Sequence, residues 1–139
     1  MKALVVYQSN TGTTKRMAEA IADELKTHNN EVKLGSIAEI SANDIEIADK
    51  LFVGSPTNGF FIFGQGPTKS WKNFVKSMPI VNKKETMLFT TYKVTTGSVF
   101  KKMRKNLRYN GFKVMNSALK SKDGNLSAIH REILSQSLN

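Results

Sequence analysis

Six consecutive uncharged residues near the N-terminus have the side chains and the spacing of a phosphate-binding turn. The segment Ser9–Thr14 holds four hydroxyls, one amide and one glycine. It follows the apolar run Ala3–Tyr7 and precedes a helical pattern that begins at Lys15. A strand that turns directly into a helix aims several backbone N–H groups at one point, where the helix dipole adds partial positive charge. We therefore expect this turn to receive a phosphate; an ordinary capped strand-to-helix junction is the alternative.

Two later segments could bind the rest of a phosphorylated ligand. Ser55–Gly66 places Phe60, Phe61 and Phe63 among glycines, and Thr90–Gly97 is rich in hydroxyls. Phenylalanines on an exposed loop are costly unless something covers them. A flat heteroaromatic ligand, anchored by its phosphate in the first turn, would cover these rings. The alternative is that the rings fold back into a small core of their own.

The elements that must position these segments alternate between apolar runs and helical patterns. Strands are predicted at Ala3–Tyr7, Glu31–Ile37, Leu51–Val53, Thr86–Phe89 and from Phe112–Met115 onward. Helices are predicted from Lys15, near Ser41–Ala48 with Ser41 as the cap, from Pro67, around Val99–Leu107, and in the stretch marked by Leu126, Ile129, Ile133 and Leu134.

This order of elements predicts an α/β fold. We expect a doubly wound, five-stranded parallel sheet of strand order 2-1-3-4-5, with helices on both faces. The strands that read as continuous apolar runs should be central, and the alternating second strand and the polar fifth strand should be edges. Ligands of such sheets bind between the carboxyl ends of the first and third strands. The Ser9–Thr14 turn and the segment after the third strand should meet there.

The composition narrows the possible functions. We expect the 139 residues to form one domain over residues 1–139. The chain has no cysteine, which excludes disulfides, thiolate metal sites and cysteine nucleophiles. His28 and His130 stand alone in the sequence, so no metal site is predicted. No apolar run is long enough to cross a bilayer, and no signal peptide is expected, so we predict a cytoplasmic protein.

The net charge of +10 is concentrated in the second half of the chain. Residues 1–66 contain six Lys and Arg against eight Asp and Glu, whereas residues 67–139 contain fifteen against three. Such a field can attract an acidic protein, nucleic acid or an anionic membrane, or can simply be a solvated face. Basic residues interleaved with stacking aromatics are not evident, so nucleic acid is not expected as a partner.

The three segments together resemble those of the short-chain flavodoxins. The resemblance covers nearly the whole chain and rests on S-N-T-G-T-T-K after the first strand, G-S-P-T-N-G after the third and F-T-T-Y-K-V-T-T-G after the fourth. The insertion that splits the fifth strand of long-chain members is missing. The resemblance implies non-covalently bound FMN and electron transfer between redox partner proteins, with no catalytic residues.

The resemblance also implies which residues bind FMN. The candidates are Ser9, Asn10, Thr11, Gly12, Thr13 and Thr14 at the phosphate, Pro56, Thr57, Asn58, Gly59, Phe60 and Phe61 on one side of the flavin ring, and Thr90, Thr91, Tyr92, Lys93, Val94 and Gly97 on the other. Asn58-Gly59 falls where the family has a peptide that turns over when the flavin is reduced, and glycine permits this at little steric cost. A tight turn with positive φ is the alternative.

Two features depart from the family pattern. Val94 stands where members usually carry an aromatic that stacks on the flavin, which leaves Tyr92 or a phenylalanine of the second segment for that role. Members are also usually acidic around the flavin, whereas this chain places basic residues near the second and third segments, namely Lys69, Lys93, Lys101, Lys102, Arg104 and Lys105. Positive surroundings favour the reduced, anionic flavin, so we expect a higher potential for the second electron. We also expect acidic redox partners with salt-sensitive association, and no membrane.

Two other roles for a bound FMN stay open from the sequence. One is a reductase of quinones or similar small acceptors, and the other is a small activator of a metalloenzyme. A phosphate-receiver domain would need carboxylates at the ends of the first and third strands, where Tyr7-Gln8-Ser9 and Gly54-Ser55-Pro56 stand. The nucleotide-binding patterns G-x-x-x-x-G-K-[ST] and G-x-G-x-x-G are also missing.

Overall fold

A computed structural model describes residues 1–60, 63–79 and 83–138. The backbone forms seven strands and five helices in this part of the chain. In chain order they are β1 Lys2–Tyr7, α1 Thr13–Thr27, β2 Glu31–Ser36, α2 Ala42–Ile47, β3 Lys50–Pro56, β4 Asn58–Phe60, β5 Phe63–Gly66, α3 Lys69–Ser77, β6 Glu85–Thr91, α4 Val99–Tyr109, β7 Lys113–Ser121 and α5 Ala128–Ser137.

Five of the strands form one parallel sheet in the order β2-β1-β3-β6-β7. Counted among themselves these strands have the order 2-1-3-4-5, so the predicted topology is confirmed. The central strands β1, β3 and β6 are buried almost throughout, while most residues of the edge strands β2 and β7 are exposed or half-buried. Central parallel strands are covered on both faces, which is why their sequences read as unbroken apolar runs.

The helices cover the sheet in two layers, each with its own core. Met17, Ile21 and Leu25 of α1 pack with Leu134 of α5 against one face of the sheet. On the other face, a second cluster joins apolar residues of α2, α3 and α4, with Trp71 fully buried. The apolar stripes predicted for these helices therefore face the sheet, and they orient each helix through hydrophobic burial.

Several local details differ from the sequence predictions. The first helix begins at Thr13 rather than Lys15, and the third begins at Lys69, two residues after Pro67, with Thr68 Oγ1 accepting from Trp71 N at 3.3 Å. Ile129, which we counted in the apolar pattern of the last helix, is 68% exposed. The inner face of α5 instead passes through Leu134 and Ser137, which are both buried. The predicted Ser41 cap is confirmed, because Ser41 and Asp44 form a reciprocal capping box.

The segment treated as a loop from the sequence contains a hairpin. Strands β4 and β5 pair antiparallel beside the main sheet, with Asn58 opposite Gly66 and Phe60 opposite Phe63. One residue on β4, Gly59, therefore lies opposite two on β5, which is a β-bulge. No helix within the described residues is both long enough and apolar enough to cross a membrane.

Candidate functional site

Three loops converge on a cavity of about 500 Å³ at the carboxyl edge of the sheet. They are the turn after β1, the start of the β4–β5 hairpin after β3, and the loop after β6. The described residues that line the cavity are Asn10, Thr11, Thr13, Thr14, Pro56, Thr57, Asn58, Gln65, Thr91, Tyr92, Lys93, Val94, Thr95 and Lys122. The sheet topology predicts a site at this position, where the chain leaves β1 and β3 in opposite directions.

The turn after β1 presents backbone donors that have no partner in the described part of the chain. Ser9 Oγ accepts hydrogen bonds from the backbone N–H groups of Gly12 at 3.1 Å and Lys15 at 3.3 Å, which ties the turn to the start of α1. Gly12 has a φ of 94°, a conformation that favours glycine. The amides between and beside these two, in Asn10, Thr11, Thr13 and Thr14, have no acceptor among the described residues. The turn thus offers four free N–H groups at the positive end of a helix.

Hydroxyl groups connect the turn to the two other loops. Thr14 Oγ1 lies 2.6 Å from Thr91 Oγ1, and both residues are buried. Thr57 Oγ1 lies 2.9 Å from Thr90 Oγ1, and the latter donates to the backbone oxygen of Ser55 at 2.7 Å. Buried hydroxyls that are paired in this way hold their loops in one arrangement. The cavity therefore has a braced wall that does not depend on a ligand.

A second set of side chains orients Asn10. Thr68 Oγ1, just before α3, donates to Gln8 Oε1 at 2.8 Å, and Gln8 Nε2 donates to Asn10 Oδ1 at 2.9 Å. Thr68 is buried and also caps α3, so the chain of bonds begins at a fixed point. Asn10 is consequently held at the edge of the turn although its own side chain is exposed.

The loop after β7 supports the turn from behind. Gly124 has a φ of 84°, and a Cβ at this position would lie 2.7 Å from the backbone oxygen of Thr13. Asp123 accepts from Asn125 N at 2.9 Å and from Ser121 Oγ at 3.1 Å. The hydrogen bond from the Asn125 backbone, followed by that from Ser121, lowers the pKa of the Asp123 carboxyl. An ionised Asp123 thus helps to shape the loop that packs on the first turn of α1.

The structure brings together most of the predicted site residues. Eleven of the eighteen candidates line the cavity: the four with free amides, Pro56, Thr57 and Asn58, and Thr91, Tyr92, Lys93 and Val94. Ser9 and Gly12 line a neighbouring hollow of about 440 Å³ instead. Thr90 is fully buried, and Gly97 has a left-handed φ of 49° at a position where a Cβ would lie 2.7 Å from Gln65 Oε1. Phe61 lies outside the described residues, as does the side chain of Phe60. The backbones of Gly59 and Phe60 form the bulged part of β4.

Three lining residues were missed from the sequence, namely Gln65, Thr95 and Lys122. Lys122 follows β7, and its Nζ lies 5.8 Å from the centre of the Tyr92 ring. A signal for it existed, because the loop after the fifth strand of a parallel sheet opens on the same edge as the other three loops. Lys93 and Lys122 are the charged residues among the described lining residues, so the cavity carries positive charge alone. No group of metal-ligating side chains occurs within the described ranges.

Comparisons with known proteins agree with this arrangement. The family model for flavodoxin matches residues 5–135. A flavodoxin of Aquifex aeolicus (strain VF5) is 45% identical over 58 residues, which are 41% of this chain. The match spans 31% of that relative, or about a third of its length.

Solved flavodoxin structures share the fold over almost their whole length. One from the domain Archaea is 25% identical, with a TM-score of 0.73, and the match covers 98% of this chain and 92% of that one. Two-electron reduced flavodoxin of Megasphaera elsdenii is 21% identical, with a TM-score of 0.81 and 95% of each chain covered. The second likeness concerns the fold alone.

Proposed function

Because the chain belongs to the flavodoxin family, whose members bind FMN, we propose that it is a single-domain electron carrier that holds FMN in the cavity described above. The observation that carries the proposal is the group of four free backbone N–H groups at the turn after β1, which opens into that cavity. FMN supplies the acceptance and return of electrons. The protein supplies the binding site, the orientation of the ring and the surrounding charge.

The residues present fit the chemistry of FMN. Its phosphate needs several donors at one point, and the free amides of Asn10, Thr11, Thr13 and Thr14 together with the threonine hydroxyls provide them. A cavity of about 500 Å³ lies within the range of small-molecule sites. We assign the phosphate to the turn, and the ring to the space between Thr57 and Asn58 on one side and Tyr92 and Val94 on the other. Gly59, Phe60 and Phe61 remain predicted contacts of the ring.

Ser9, Gly12, Thr90 and Gly97 act in this proposal by positioning the loops. Ser9 binds two amides of the turn, and Thr90 joins the second loop to the third. The Asn58–Gly59 peptide stays our predicted redox-responsive peptide. Support for it comes from the bulge at Gly59, where the β4–β5 ladder is irregular and holds the peptide less firmly.

Positive charge around the ring should favour each added electron. Lys93 and Lys122 line the cavity, and no described lining residue is acidic. We therefore propose that the potential for the second electron is higher than in acidic flavodoxins, and that the redox partners are acidic proteins met in the cytoplasm. A potentiometric titration of the FMN-loaded protein measures this, and a potential as low as theirs would contradict it.

FMN titration of the purified protein tests the site itself. We expect uptake of one FMN, seen as quenched flavin fluorescence. Changing Thr11 and Thr13 together to valine should weaken FMN binding by roughly tenfold to a hundredfold, because two hydrogen bonds to a charged group are lost. Riboflavin lacks the phosphate, so its affinity should stay the same in this variant.

The matched control is Thr27→Val, at the opposite end of α1. This variant should bind FMN like the parent protein. Equal losses of FMN and riboflavin affinity in the turn variant would mean that the turn does not hold the phosphate. A protein that takes up no FMN at all would refute the carrier function.

The flavodoxin family assignment favours a carrier over a quinone reductase or a metalloenzyme activator. A steady-state assay separates the carrier from the reductase. The FMN-loaded protein should not sustain NADPH or NADH oxidation with a quinone as acceptor, whereas a reductase would turn over continuously.

A further inference from the structure

A second recess, of about 710 Å³, lies between α3 and α4 and is rich in lysine. Lys72 and Lys76 come from α3, and Lys102 and Lys105 come from α4. Tyr109, which is 92% exposed, lines its far end. We call this recess the basic groove.

The spacing of these residues places the charges in two rows. Lys72 and Lys76 are four residues apart on α3, and Lys102, Lys105 and Tyr109 follow at intervals of three and four on α4. Residues at these intervals share one face of a helix, with about 5.4 Å along the axis for each turn. The ammonium groups therefore follow both walls of the groove and do not converge on one point.

The charges of the groove lack acidic partners. Glu85 is the one acidic residue between Lys50 and Lys122 in the sequence, and it pairs with Lys50 at 3.2 Å. No ion pair joins any of the four groove lysines to a described residue. Some lysines elsewhere do have an acidic partner, as Lys33 has in Asp44 at 2.8 Å. Four like charges along one recess repel each other, and a row of carboxylates would relieve that repulsion.

Hydrogen bonds fix the groove at both ends. Asn110 Nδ2, at the end of α4, donates to the backbone oxygens of Val75 at 2.8 Å and Met78 at 3.2 Å. At the other end, Lys102 Nζ donates to the backbone oxygen of Gln65 at 2.7 Å. The Asn110 bonds join the end of α4 to the end of α3, and the Lys102 bond joins α4 to β5. A ligand would therefore meet a preformed surface.

The groove also adjoins the cavity assigned to FMN. Asn58 lines both recesses. Gln65 lines the cavity on one side, while its backbone oxygen accepts from Lys102 on the other. The β4–β5 hairpin is therefore the wall between the two, and a protein bound in the groove would lie against that hairpin.

We propose that the basic groove docks an acidic segment of a protein partner. Carboxylates of the segment lie along the two lysine rows, and an apolar side chain packs against Tyr109. The identity of this partner as the redox partner rests on the proposed function. The binding of an acidic segment in the groove does not depend on it. The occupant is a protein because the charges are spread along two helices, whereas a single phosphate needs donors that converge. Nucleic acid would need several exposed stacking rings, and Tyr109 is the one described aromatic in this groove.

A synthetic peptide rich in glutamate, with leucines at helical spacing, is the probe for this site. We expect it to shift the backbone amide NMR signals of α3, α4 and the β4–β5 hairpin. The variant Lys72→Gln/Lys76→Gln/Lys105→Gln should bind the peptide roughly tenfold more weakly, because three exposed charge interactions are removed. The side chains of these three lysines make no hydrogen bond to a described residue, so the variant should keep its fold.

The control variant is Lys26→Gln/Lys113→Gln/Lys120→Gln, which changes the net charge equally at exposed sites away from the groove. Its peptide affinity should stay within about twofold of the parent protein. Equal losses in both variants would mean that only the overall charge matters and would overturn the proposal. Tighter binding of single-stranded oligothymidylate than of the peptide, or self-association through the groove, would overturn it as well.

FMN uptake is measured separately on all three proteins. If no protein takes up FMN but the peptide binds the groove, the docking site stands and the proposed carrier function fails. If FMN binds and the peptide does not shift the α3 and α4 signals, the function stands and the docking site fails.

Discussion

The two recesses beside the β4–β5 hairpin are lined by different kinds of polar group. The cavity at the carboxyl edge uses backbone N–H groups and paired hydroxyls such as Thr14 and Thr91, held at fixed distances. The basic groove uses the long, exposed side chains of four lysines. Fixed dipoles select a ligand by shape, and they lose little when salt is added. Exposed charges attract by sign over longer distances and are screened by salt. One molecule can thus hold a cofactor tightly and a partner reversibly.

The largest effect should follow from disturbing the support of the turn. Gly124→Ala combines a left-handed φ of 84° with a Cβ only 2.7 Å from Thr13 O. We expect a loss of about 2–4 kcal/mol in the free energy of unfolding, measured by denaturant titration, and weaker FMN binding. Peptide binding to the basic groove should not change in the folded variant.

A comparison of Gly12→Ala with Gly124→Ala separates the effect of backbone strain from that of steric collision. Gly12 has a φ of 94°, but a Cβ there would meet nothing within 4 Å. The Gly12→Ala variant should lose less free energy of unfolding, about 1–2 kcal/mol, because backbone strain alone destabilises it. Equal losses in the two variants would show that the loop after β7 does not brace the turn.

The next largest effect should be that of salt, which should weaken ligand binding more in the basic groove than in the cavity. Raising the ionic strength from about 0.05 to 0.5 M should weaken peptide binding roughly tenfold, since exposed charges are screened. FMN binding should weaken by less than about threefold, because its phosphate is held mainly by fixed amides. Both affinities are measured by titration on the same preparation. If salt weakened FMN binding and peptide binding by the same factor, the two recesses would not differ in how they bind their ligands.

Removing the aromatic end of the groove should have a more modest effect. Tyr109→Ala should weaken peptide binding by about threefold, from lost apolar contact. Because Tyr109 is 92% exposed, the midpoint of thermal unfolding should not change. Ile129→Ala, at an exposed apolar residue of α5, is the control and should alter neither quantity. Unchanged peptide affinity in Tyr109→Ala would limit the docking surface to the lysines.

The smallest effect should come from Asp123, whose lowered pKa links the supporting loop to pH. A carboxyl with a lowered folded-state pKa adds stability above its unfolded pKa, near 3.8, and loses it as the pH falls through the folded value. Asp123→Asn should therefore flatten the fall in thermal stability below about pH 4. A profile identical to that of the parent protein would mean that ionised Asp123 does not stabilise this loop.

Much of the fold could be predicted because its signals are local. The apolar runs of β1, β3 and β6, the stripes of α1 and the Ser41 cap depend on residues a few positions apart. Ile129 was misleading because its spacing fits a helical pattern, whereas the orientation of α5 follows from packing on α1. The β4–β5 hairpin was read as a loop because each strand is very short and glycine-rich.

The candidate site, like the fold, could be predicted from the sequence only where its signals are local. The turn after β1 was visible from its hydroxyls and its place between a strand and a helix. Lys122 could have been found from its place after the fifth strand, but the bracing roles of Ser9 and Thr90 could not be read from the sequence. These roles depend on pairs such as Thr57 and Thr90, which are 33 residues apart. The family resemblance named the contact residues but carried no information on which hydroxyls are already paired.

By itself, the sequence determined the order of strands and helices, the hydroxyl-rich turn to which we assign the phosphate and the uneven charge, since each arises from neighbouring residues or from composition. Tertiary structure alone decided that four lysines from α3 and α4 border one groove, and that Asn58 is shared between the groove and the cavity. The physical reason is that a parallel sheet places sequence-distant helices side by side. Distances between such elements are set by packing and by bonds such as that from Asn110 to Val75.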